Sequence, residues 1–338
     1  MTKSVASLML LQVDDFGRGL PVMQTNSVLA LTGATGFIGA ALISQLTAAG
    51  WRVRALYRPQ KGRVLQSLPG VQWFPGNLEN QEALNALVAG TQAVIHCAGV
   101  VRGTCRTDFD EVNERGAQRV ALAAASQPQM PRFLLISSLA AREPDLSHYA
   151  GSKWRGECAV KAVSENLRWT IFRPSAVFGP GDRELLPLFR CIAKGFVPLP
   201  MGAYGRFSLI YVEDLSNAVM HWLATDGCDG QTFELHDGKK GGYDWDTVLT
   251  IGARVLCAGK PVRRLPVPVS MLSLGAFANT ISARVFGYAP MLTPGKIREL
   301  IHPDWVCDNF EFSRRTGWQP AIGLAQGLAS IFDQKPAA

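Results

Sequence analysis

The feature that most constrains the fold is a glycine-rich turn, Thr32–Gly39 (TGATGFIG), between a short aliphatic run and an amphipathic stretch. In a strand–turn–helix context, glycines let backbone N–H groups approach a pyrophosphate at the N-terminus of a helix. The spacing is G-x-x-G-x-x-G, which differs from the G-x-G-x-x-G of ordinary dinucleotide dehydrogenases. Many glycine turns are only tight turns, but the flanking strand and helix favour a cofactor site here. The predicted contacts to the dinucleotide are Gly33, Thr35, Gly36, Phe37, Ile38 and Gly39.

From Ser27 to Arg173, short β-branched or aliphatic runs alternate with amphipathic stretches. Such alternation requires a parallel sheet with helices on both faces. The fold class is therefore predicted as α/β, a Rossmann-type doubly wound parallel sheet with a smaller C-terminal substrate lobe. The predicted strands are 28–32, 53–57, 93–97, 133–137 and 169–172, and the predicted helices are 37–49, 82–88, 109–126 and 149–165.

After Arg173, glycine and proline become frequent, as in a lobe built from loops and short elements. In open α/β sheets, ligands bind beyond the carboxyl ends of the strands, and later segments cover that crevice. We therefore expect the substrate contacts in these later segments. Residues 1–26 lack a clear period and are interpreted as a flexible N-terminal extension. The predicted nucleotide-binding domain is 27–180, to which 207–225 returns, and the predicted substrate lobe is 181–206 and 226–338.

The composition excludes several classes of protein. Of the 338 residues, 47% are hydrophobic and 18% are charged, so the chain can bury a full core and is neither disordered nor fibrous. The net charge is +7 without a run of five or six basic residues, so nucleic acid is not an expected partner, and cofactor phosphates or an anionic surface would explain the charge. The seven cysteines show no C-x-x-C pair and no metal-like spacing. We therefore expect reduced thiols, a cytoplasmic location and no metal site.

The end of the second predicted strand bears on the choice of cofactor. A carboxylate there would hydrogen-bond the ribose 2′-hydroxyl of NAD, whereas an arginine would meet the 2′-phosphate of NADP. The strand ends Leu56-Tyr57-Arg58, without an acid. A charge-assisted pair between a guanidinium and a phosphate contributes about 1.5–3 kcal/mol, so NADP(H) is favoured over NAD(H). The alternative is that Arg58 only caps a solvated strand end or stacks on adenine.

A tyrosine and a lysine one helical turn apart are the candidate catalytic pair. Tyr149 and Lys153 are at positions i and i+4 of a predicted helix, and so project from one face. A phenol titrates near pH 10 in water, and an ammonium group about 4 Å away would lower its pKa toward neutrality. Ser138 follows the predicted strand 133–137 at the same edge of the sheet and would orient the substrate oxygen. A Y-x-x-x-K pair alone is common on surface helices, but its place after the glycine turn and the Ser-Ser strand end favours catalysis.

Together these residues resemble the short-chain dehydrogenase/reductase superfamily, in particular its extended branch of NAD-dependent epimerase/dehydratase-like and 3β-hydroxysteroid-dehydrogenase-like proteins. The resemblance covers roughly Ser27 to Pro320. The matching segments are TGATGFIG at 32–39, PGNL at 75–78, VIHCAG at 94–99, NERG at 113–116, ISS at 136–138, YAGSK at 149–153, FRPSAVFGPGD at 172–182 and LIYVEDLSNAV at 209–219.

The resemblance implies a role for the matching residues. Ser138, Tyr149 and Lys153 are similar to the family's catalytic triad, in which Tyr149 would exchange the proton and Lys153 would also hold the nicotinamide ribose. Asn77 stands where the family's aspartate meets the adenine amine, and an amide oxygen can still accept that hydrogen bond. The remaining cofactor contacts that the resemblance implies are Leu78, Ala98, Gly99, Pro174 and Ser175, the last two beside the nicotinamide carboxamide.

Two segments bear on the substrate. The ten residues 139–148 carry no V-Y-G turn, whereas many nucleotide-sugar enzymes of this branch have a longer segment there with sugar contacts. The most apolar region is 263–292, where apolar residues recur three or four positions apart, as on one helical face. Asn279 and Arg284 interrupt this region before it reaches the roughly 20 apolar residues of a spanning helix. It is either a core helix or a helix on a lipid or membrane surface, with arginines available to headgroups.

The layout of 263–309 is similar to that of steroid- and lipid-acting relatives, including bacterial reductases of oxidised ceramide-type lipids. The resemblance therefore implies reversible ketone/alcohol chemistry on a hydrophobic, lipid- or steroid-like substrate. A nucleotide-sugar epimerase or dehydratase is the alternative among enzymes. A non-catalytic nucleotide-binding scaffold is the alternative outside them, although a scaffold has no need of the tyrosine–lysine pair. Peripheral membrane contact through 263–292, a homodimer, the exact substrate and the reaction direction stay open.

Overall fold

The computed structural model describes residues 11–13, 19–21, 27–60, 65–163, 165 and 167–333. The strands are β1 (Leu11–Val13), β2 (Gly19–Pro21), β3 (Val28–Thr32), β4 (Arg52–Tyr57), β5 (Val71–Pro75), β6 (Ala93–His96), β7 (Arg132–Ile136), β8 (Trp169–Pro174), β9 (Ala176–Phe178), β10 (Phe196–Pro200), β11 (Arg206–Phe207), β12 (Leu209–Tyr211), β13 (Gln231–Leu235), β14 (Arg263–Val267) and β15 (Asp304–Trp305). The helices are α1 (Phe37–Ala48), α2 (Gln81–Val88), α3 (Arg106–Asp110), α4 (Ala117–Ala125), α5 (His148–Lys161), α6 (Leu186–Ala193), α7 (Val212–Ala224), α8 (Trp245–Leu256), α9 (Val269–Phe286), α10 (Pro294–Ile301), α11 (Phe310–Thr316) and α12 (Leu324–Asp333).

Seven parallel strands form the central sheet, in the order β13-β8-β7-β6-β3-β4-β5. The predicted Rossmann-type α/β fold is therefore confirmed. The sequence predicts five of these strands to within two residues and misses the two at the edges. Strand β5 has a mixed, only partly buried composition, and β13 follows a region in which the alternation has already stopped. Because β13 pairs with β8, the range 226–338, predicted as substrate lobe, also completes the nucleotide-binding sheet.

Helices cover both faces of the sheet. One face packs against α1 and α7, through residues such as Leu42 and Leu215. The other packs against α2, α4 and α5, through residues such as Val120 and Val160. All four side chains are fully buried, and each contributes about 1.5–3 kcal/mol by leaving water. The sheet is thus sealed on both sides, and only its strand ends are available to ligands.

The helix predicted over 109–126 is interrupted by a wider turn. The chain passes from α3 through a π-helical segment, Glu111–Gly116, into α4. At its end, a Cβ on Gly116 would lie 2.7 Å from Cδ1 of Leu78, so the helix and the loop before α2 pack closely. Single π-helical turns within helices frequently mark functional sites, and this one carries the NERG segment.

The C-terminal lobe has a core of its own, built from α6, α8 and α12 with the strand pair β10 and β14. Its buried residues include Phe189, Val197 and Val248. Of the predicted N-terminal extension, β1 and β2 form an antiparallel pair, and the rest of 1–26 lies outside the described residues.

Helix α9 departs from the expectation that the apolar region is broken. It runs without interruption for 18 residues, and its mean hydropathy of 1.2 would suffice, by length and composition alone, to cross a membrane. The helix continues through Asn279 and Arg284, because the Asn279 amide donates to the Leu292 carbonyl at 3.1 Å and Arg284 to the Thr104 carbonyl at 3.2 Å. Only 11% of this helix is buried, so the core-helix alternative is wrong.

Candidate active site

The predicted site residues meet at the carboxyl edge of the sheet, around β3. Strands β4 and β5 lie on one side of β3, and β6, β7 and β8 lie on the other, so the strand order reverses there. A reversal of this kind leaves a crevice beyond the strand ends. Gly33, Ala98, Ser138 and Ser175 follow β3, β6, β7 and β8, respectively. The topology therefore gathers predicted cofactor and catalytic residues around one crevice.

The glycine turn is packed too closely for side chains. Gly33 has a φ of +73°, and a Cβ there would lie 2.5 Å from the backbone nitrogen of Ala98. A Cβ on Gly39 would lie 2.1 Å from the Gly33 carbonyl oxygen. Gly36 is the N-cap of α1 and has no side chain to cap the first-turn N–H groups, which are left for an anion. This cradle fits the pyrophosphate of a dinucleotide, with Thr35, Phe37 and Ile38 completing the turn.

Of the predicted contacts at the adenine end, Arg58 is accessible to a ligand, whereas Asn77 is already hydrogen-bonded. Arg58 is exposed directly after β4, where a 2′-phosphate would be met. The Asn77 amide oxygen accepts two backbone N–H groups of the following turn, at 2.9 and 3.0 Å. The oxygen assigned by resemblance to the adenine amine thus already stabilises the start of α2. Leu78 packs against Gly116 and contributes an apolar wall.

At the nicotinamide end, one buried hydroxyl group lacks a partner. Pro174 closes β8, and the next residue, Ser175, donates its backbone N–H to the Leu235 carbonyl at 2.9 Å. Among the described residues, the buried Oγ of Ser175 has no hydrogen-bond partner. A buried polar atom without a partner is costly, so this position favours a polar group on a ligand. The glycine turn and Ser175 therefore fit the pyrophosphate and the nicotinamide end of a dinucleotide.

Ser138 and Tyr149 are brought into contact. Ser138 precedes the 3₁₀ turn Leu139–Arg142, its Oγ accepts the Ala140 N–H at 3.2 Å, and it lines the same cavity as the Tyr149 phenol. Burial raises the pKa of Tyr149, while the Ser138 hydroxyl and the Lys296 ammonium act in the opposite direction. Tyr149 is consequently a neutral phenol near pH 7, the form that can donate a proton.

Lys153 lies on the cofactor side of the crevice. Its Nζ donates to the Ile136 carbonyl oxygen at 2.8 Å, and a Cβ on Gly99 would be 3.8 Å from this Nζ. Burial lowers the pKa of Lys153 to about 8. The sequence predicts that Lys153 lowers the pKa of Tyr149, but that pKa is raised, and Lys296 is the cation that most opposes the increase. The main cause of the increase is the burial of the phenol, and Lys153 Nζ is hydrogen-bonded to the Ile136 carbonyl instead.

Asn113 of the π-helical segment connects the two sides of the crevice. Its amide oxygen accepts the Val100 N–H at 2.9 Å, and its amide nitrogen donates to the Val100 carbonyl at 3.0 Å and to Ser152 Oγ at 2.9 Å. The loop after β6 is thereby fixed to the helix that carries Tyr149 and Lys153. Sequence reasoning uses the NERG segment only for the resemblance and misses this positioning role.

A buried ion pair supports the other side of the catalytic helix α5. Glu157 accepts two hydrogen bonds from Arg173, at 2.9 and 2.7 Å, and a third from Ser137 at 2.6 Å. Breaking a buried pair by removing one partner typically costs about 3–5 kcal/mol. This pair fixes α5 to the ends of β7 and β8, so the position of Tyr149 is set by the sheet.

Lys296 reaches the site from the lobe and is missed by sequence reasoning. Its ammonium pairs with Glu299 at 2.9 Å. Partial burial lowers the pKa of the half-exposed Lys296, but Glu299, together with Tyr149 and Glu184, more than offsets this, and the pKa is raised overall. Glu299 also bonds Ser147, the N-cap of α5, and Arg298 donates to a carbonyl oxygen of the same turn at 2.7 Å. Because no motif links α10 with α5, only the fold reveals that the lobe contributes a cation beside Tyr149.

A cavity of about 600 Å³ opens in front of Ser138 and Tyr149. Both the nucleotide-binding half and the lobe contribute to it. Its polar lining includes Glu184, Lys296 and four arginines, Arg102, Arg206, Arg284 and Arg298, although the larger part of the lining surface is apolar. The apolar lining includes Val101, Phe109, Leu185, Leu188, Trp245, Phe277 and Ile281. A volume of this size is typical of a pocket that holds a drug-sized ligand.

A model of the NAD dependent epimerase/dehydratase family matches residues 29–235 of the chain. A ceramide reductase from Caulobacter vibrioides is 36% identical over 311 residues, which are 90% of this chain and 93% of that protein. A UDP-glucose 4-epimerase from Vibrio cholerae is 25% identical over 327 residues, with coverage of 89% and 93%. Among solved structures, a UDP-glucuronic acid 4-epimerase from Bacillus cereus in complex with NAD has a TM-score of 0.70 at 17% identity, covering 90% of this chain and 97% of that one. The last likeness bears on the fold alone.

Proposed function

Because the chain belongs to the NAD-dependent epimerase/dehydratase family, we propose that it reversibly reduces the ketone of a long-chain, oxidised ceramide-type lipid. The observation that carries this proposal is the mainly apolar cavity of about 600 Å³ in front of Ser138 and Tyr149. A hydrated sugar would leave such walls unsatisfied, whereas acyl or sphingoid chains would bury them. The 36% identity to a ceramide reductase supports the same substrate class.

The groups around the cavity can perform this reduction. A reduced nicotinamide, when bound, supplies the hydride for the carbonyl carbon. The neutral phenol of Tyr149 would donate its proton to the carbonyl oxygen, and the Ser138 hydroxyl would orient that oxygen. Lys153 would hold the ribose from the Gly99 side. In the oxidative direction the same phenolic oxygen would accept the proton of the alcohol.

For the cofactor, we favour NADP(H) within this NAD-dependent family. The support is the exposed Arg58 directly after β4, together with the lack of an acid at Leu56 and Tyr57. A guanidinium can pair with a 2′-phosphate in two parallel hydrogen bonds, which a 2′-hydroxyl cannot match.

The test is a substrate panel with the full chain, followed through the absorbance of the reduced cofactor. An N-acyl 3-keto-sphingoid lipid in detergent micelles is expected to be reduced with NADPH. A Tyr149→Phe variant serves as the matched control, because it keeps the ring and removes only the acid. Failure of the wild-type chain to reduce the keto-lipid with either NADPH or NADH would overturn the proposal.

The second candidate is a nucleotide-sugar epimerase, favoured by the 25% identity to a UDP-glucose 4-epimerase over most of both chains. The same panel therefore includes UDP-glucose, with product composition as its measurement. Interconversion of the sugar, without turnover of the keto-lipid, would establish this candidate instead.

A further inference from the structure

Helix α9 buries small residues and exposes large apolar ones, which is the reverse of an ordinary surface helix. Its buried residues are only Ala276 and Ala283. Its large apolar residues point outward and are 47–78% exposed: Met271, Leu274, Phe277, Ile281, Val285 and Phe286, which we call the α9 face. A helix of a soluble protein normally directs its large apolar residues to the core. An apolar surface of this kind marks an interaction site.

The net positive charge of the chain belongs to the sequence segment that contains this face. Residues 247–298 contain no aspartate or glutamate and seven basic residues, so this segment accounts for the whole net charge of +7. Two of its cations are paired with acids from outside the segment, Arg264 with Asp246 and Lys296 with Glu299. Lys260 and Arg263 are exposed just before and at the start of β14, the strand that leads into α9. The segment that carries the apolar face therefore also carries positive charge that no acid within it offsets.

The α9 face is continuous with the interior of the cavity. Phe277 and Ile281 are exposed on the outside, at 59% and 47%, and also line the cavity. Exposed Met291, just beyond α9, lines it too. Apolar side chains of α9 and Met291 are thus shared between the surface of the protein and the cavity that contains Tyr149.

From these observations we propose that the α9 face docks on an anionic phospholipid bilayer, with the cavity opening toward the acyl chains. Apolar burial and attraction of the flanking cations to acidic headgroups act together in this kind of binding. A second copy of the chain fits less well, because it would bring two segments of net positive charge together and cover the mouth of the cavity. The inference goes beyond the proposed reaction, since it concerns binding without substrate or cofactor.

The test is co-sedimentation of the full chain with vesicles of phosphatidylcholine alone and of phosphatidylcholine mixed with phosphatidylglycerol. Binding is expected to be strong only with the anionic vesicles. Leu274→Glu, Val285→Glu and Phe286→Glu are each expected to weaken it more than tenfold, because a carboxylate is placed in the acyl boundary next to acidic headgroups. Phe310→Glu is the matched control, since Phe310 is similarly exposed, at 63%, but lies on α11. The control should bind like the wild type.

The charge component is tested separately with Lys260→Gln and Arg263→Gln. Each is expected to weaken binding to anionic vesicles about fivefold and to leave weak binding to neutral vesicles unchanged. Equal sedimentation of the wild type and the three glutamate variants would overturn the proposal. A second result would also overturn it: the wild type does not bind vesicles, light scattering shows that it is a dimer, and the glutamate variants are monomers. A second copy of the chain would then cover the face. Turnover of micelle-solubilised substrate is measured in parallel, so a failure of the proposed reaction is distinguished from a failure of docking.

Discussion

Large apolar side chains are buried in the central sheet and exposed on helix α9. In β3, Leu29 and Leu31 are fully buried between two layers of helices. In α9, alanines face the protein, while Leu274 and Phe286 are 71% and 78% exposed. The sheet completes its own core and positions the reacting groups, whereas α9 leaves apolar surface for a molecule from outside. The candidate catalytic residues and the exposed apolar surface therefore lie in different parts of the chain.

If this division holds, the largest effect on turnover comes from the sheet half. Tyr149→Phe removes the proton donor and is expected to lower kcat by about 10²–10⁴-fold for every ketone substrate. The measurement is steady-state kinetics with saturating cofactor, together with circular dichroism to confirm an unchanged fold. Loss of activity for lipid ketones alone, with small ketones unaffected, would assign Tyr149 to substrate binding and break the comparison.

The comparison is sharpened by the same substitution made in both regions. Leu31→Ala should lower the free energy of unfolding by about 2–5 kcal/mol, because it leaves a cavity in the core. Leu274→Ala should change it by no more than about 0.5 kcal/mol, because the side chain is already in solvent. Urea denaturation of both variants makes the comparison. A comparable loss in the two variants would show that α9 is packed in solution.

The next effect concerns the cofactor at the end of β4. Arg58→Ala is expected to raise the KM for NADPH about 10- to 100-fold, because it removes a charge-assisted pair of hydrogen bonds to the 2′-phosphate. The KM for NADH should change little, since its 2′-hydroxyl makes no such pair. Equal changes in both values would remove the preference for NADP(H) and leave Arg58 as a solvated strand end.

The smallest expected effect is that of Lys296, in the lobe, on the pKa of Tyr149. Lys296 lowers the pKa of Tyr149, so Lys296→Met should raise it, and the phenol should stay protonated to higher pH. The alkaline limb of the reduction profile should therefore move upward, by less than about one pH unit, because the lysine is half exposed and solvent screens its charge. Lys296→Arg should restore the profile. A fall in kcat without a displaced limb would indicate a purely structural role.

Local motifs predict the chemistry, because each motif is a strand end followed by its own turn or helix. The glycine turn and the spacing from Ser138 to Tyr149 are of this type, and so is the alternation that gives five of the seven strands. Lys296 and β13 escape prediction because they reach the site or the sheet from far along the chain. The spacing of apolar residues identifies a face on α9, but the same periodicity suits a core and a lipid surface. Only the surroundings of Ala276 and Ala283 distinguish the two.

The contact between α10 and the start of α5 has a consequence for how a substrate is loaded. Ser147 caps the helix two residues before Tyr149 and is bonded to Glu299. If the lobe swung away to admit a molecule, it would break the hydrogen bond from Ser147 to Glu299 and remove a support of the helix that carries Tyr149. A long-chain substrate that enters lengthwise beside α9 would leave this hydrogen bond intact. Tyr149 would then remain aligned while the substrate enters and leaves. The lobe would stay in place, and the substrate would pass through the opening beside α9.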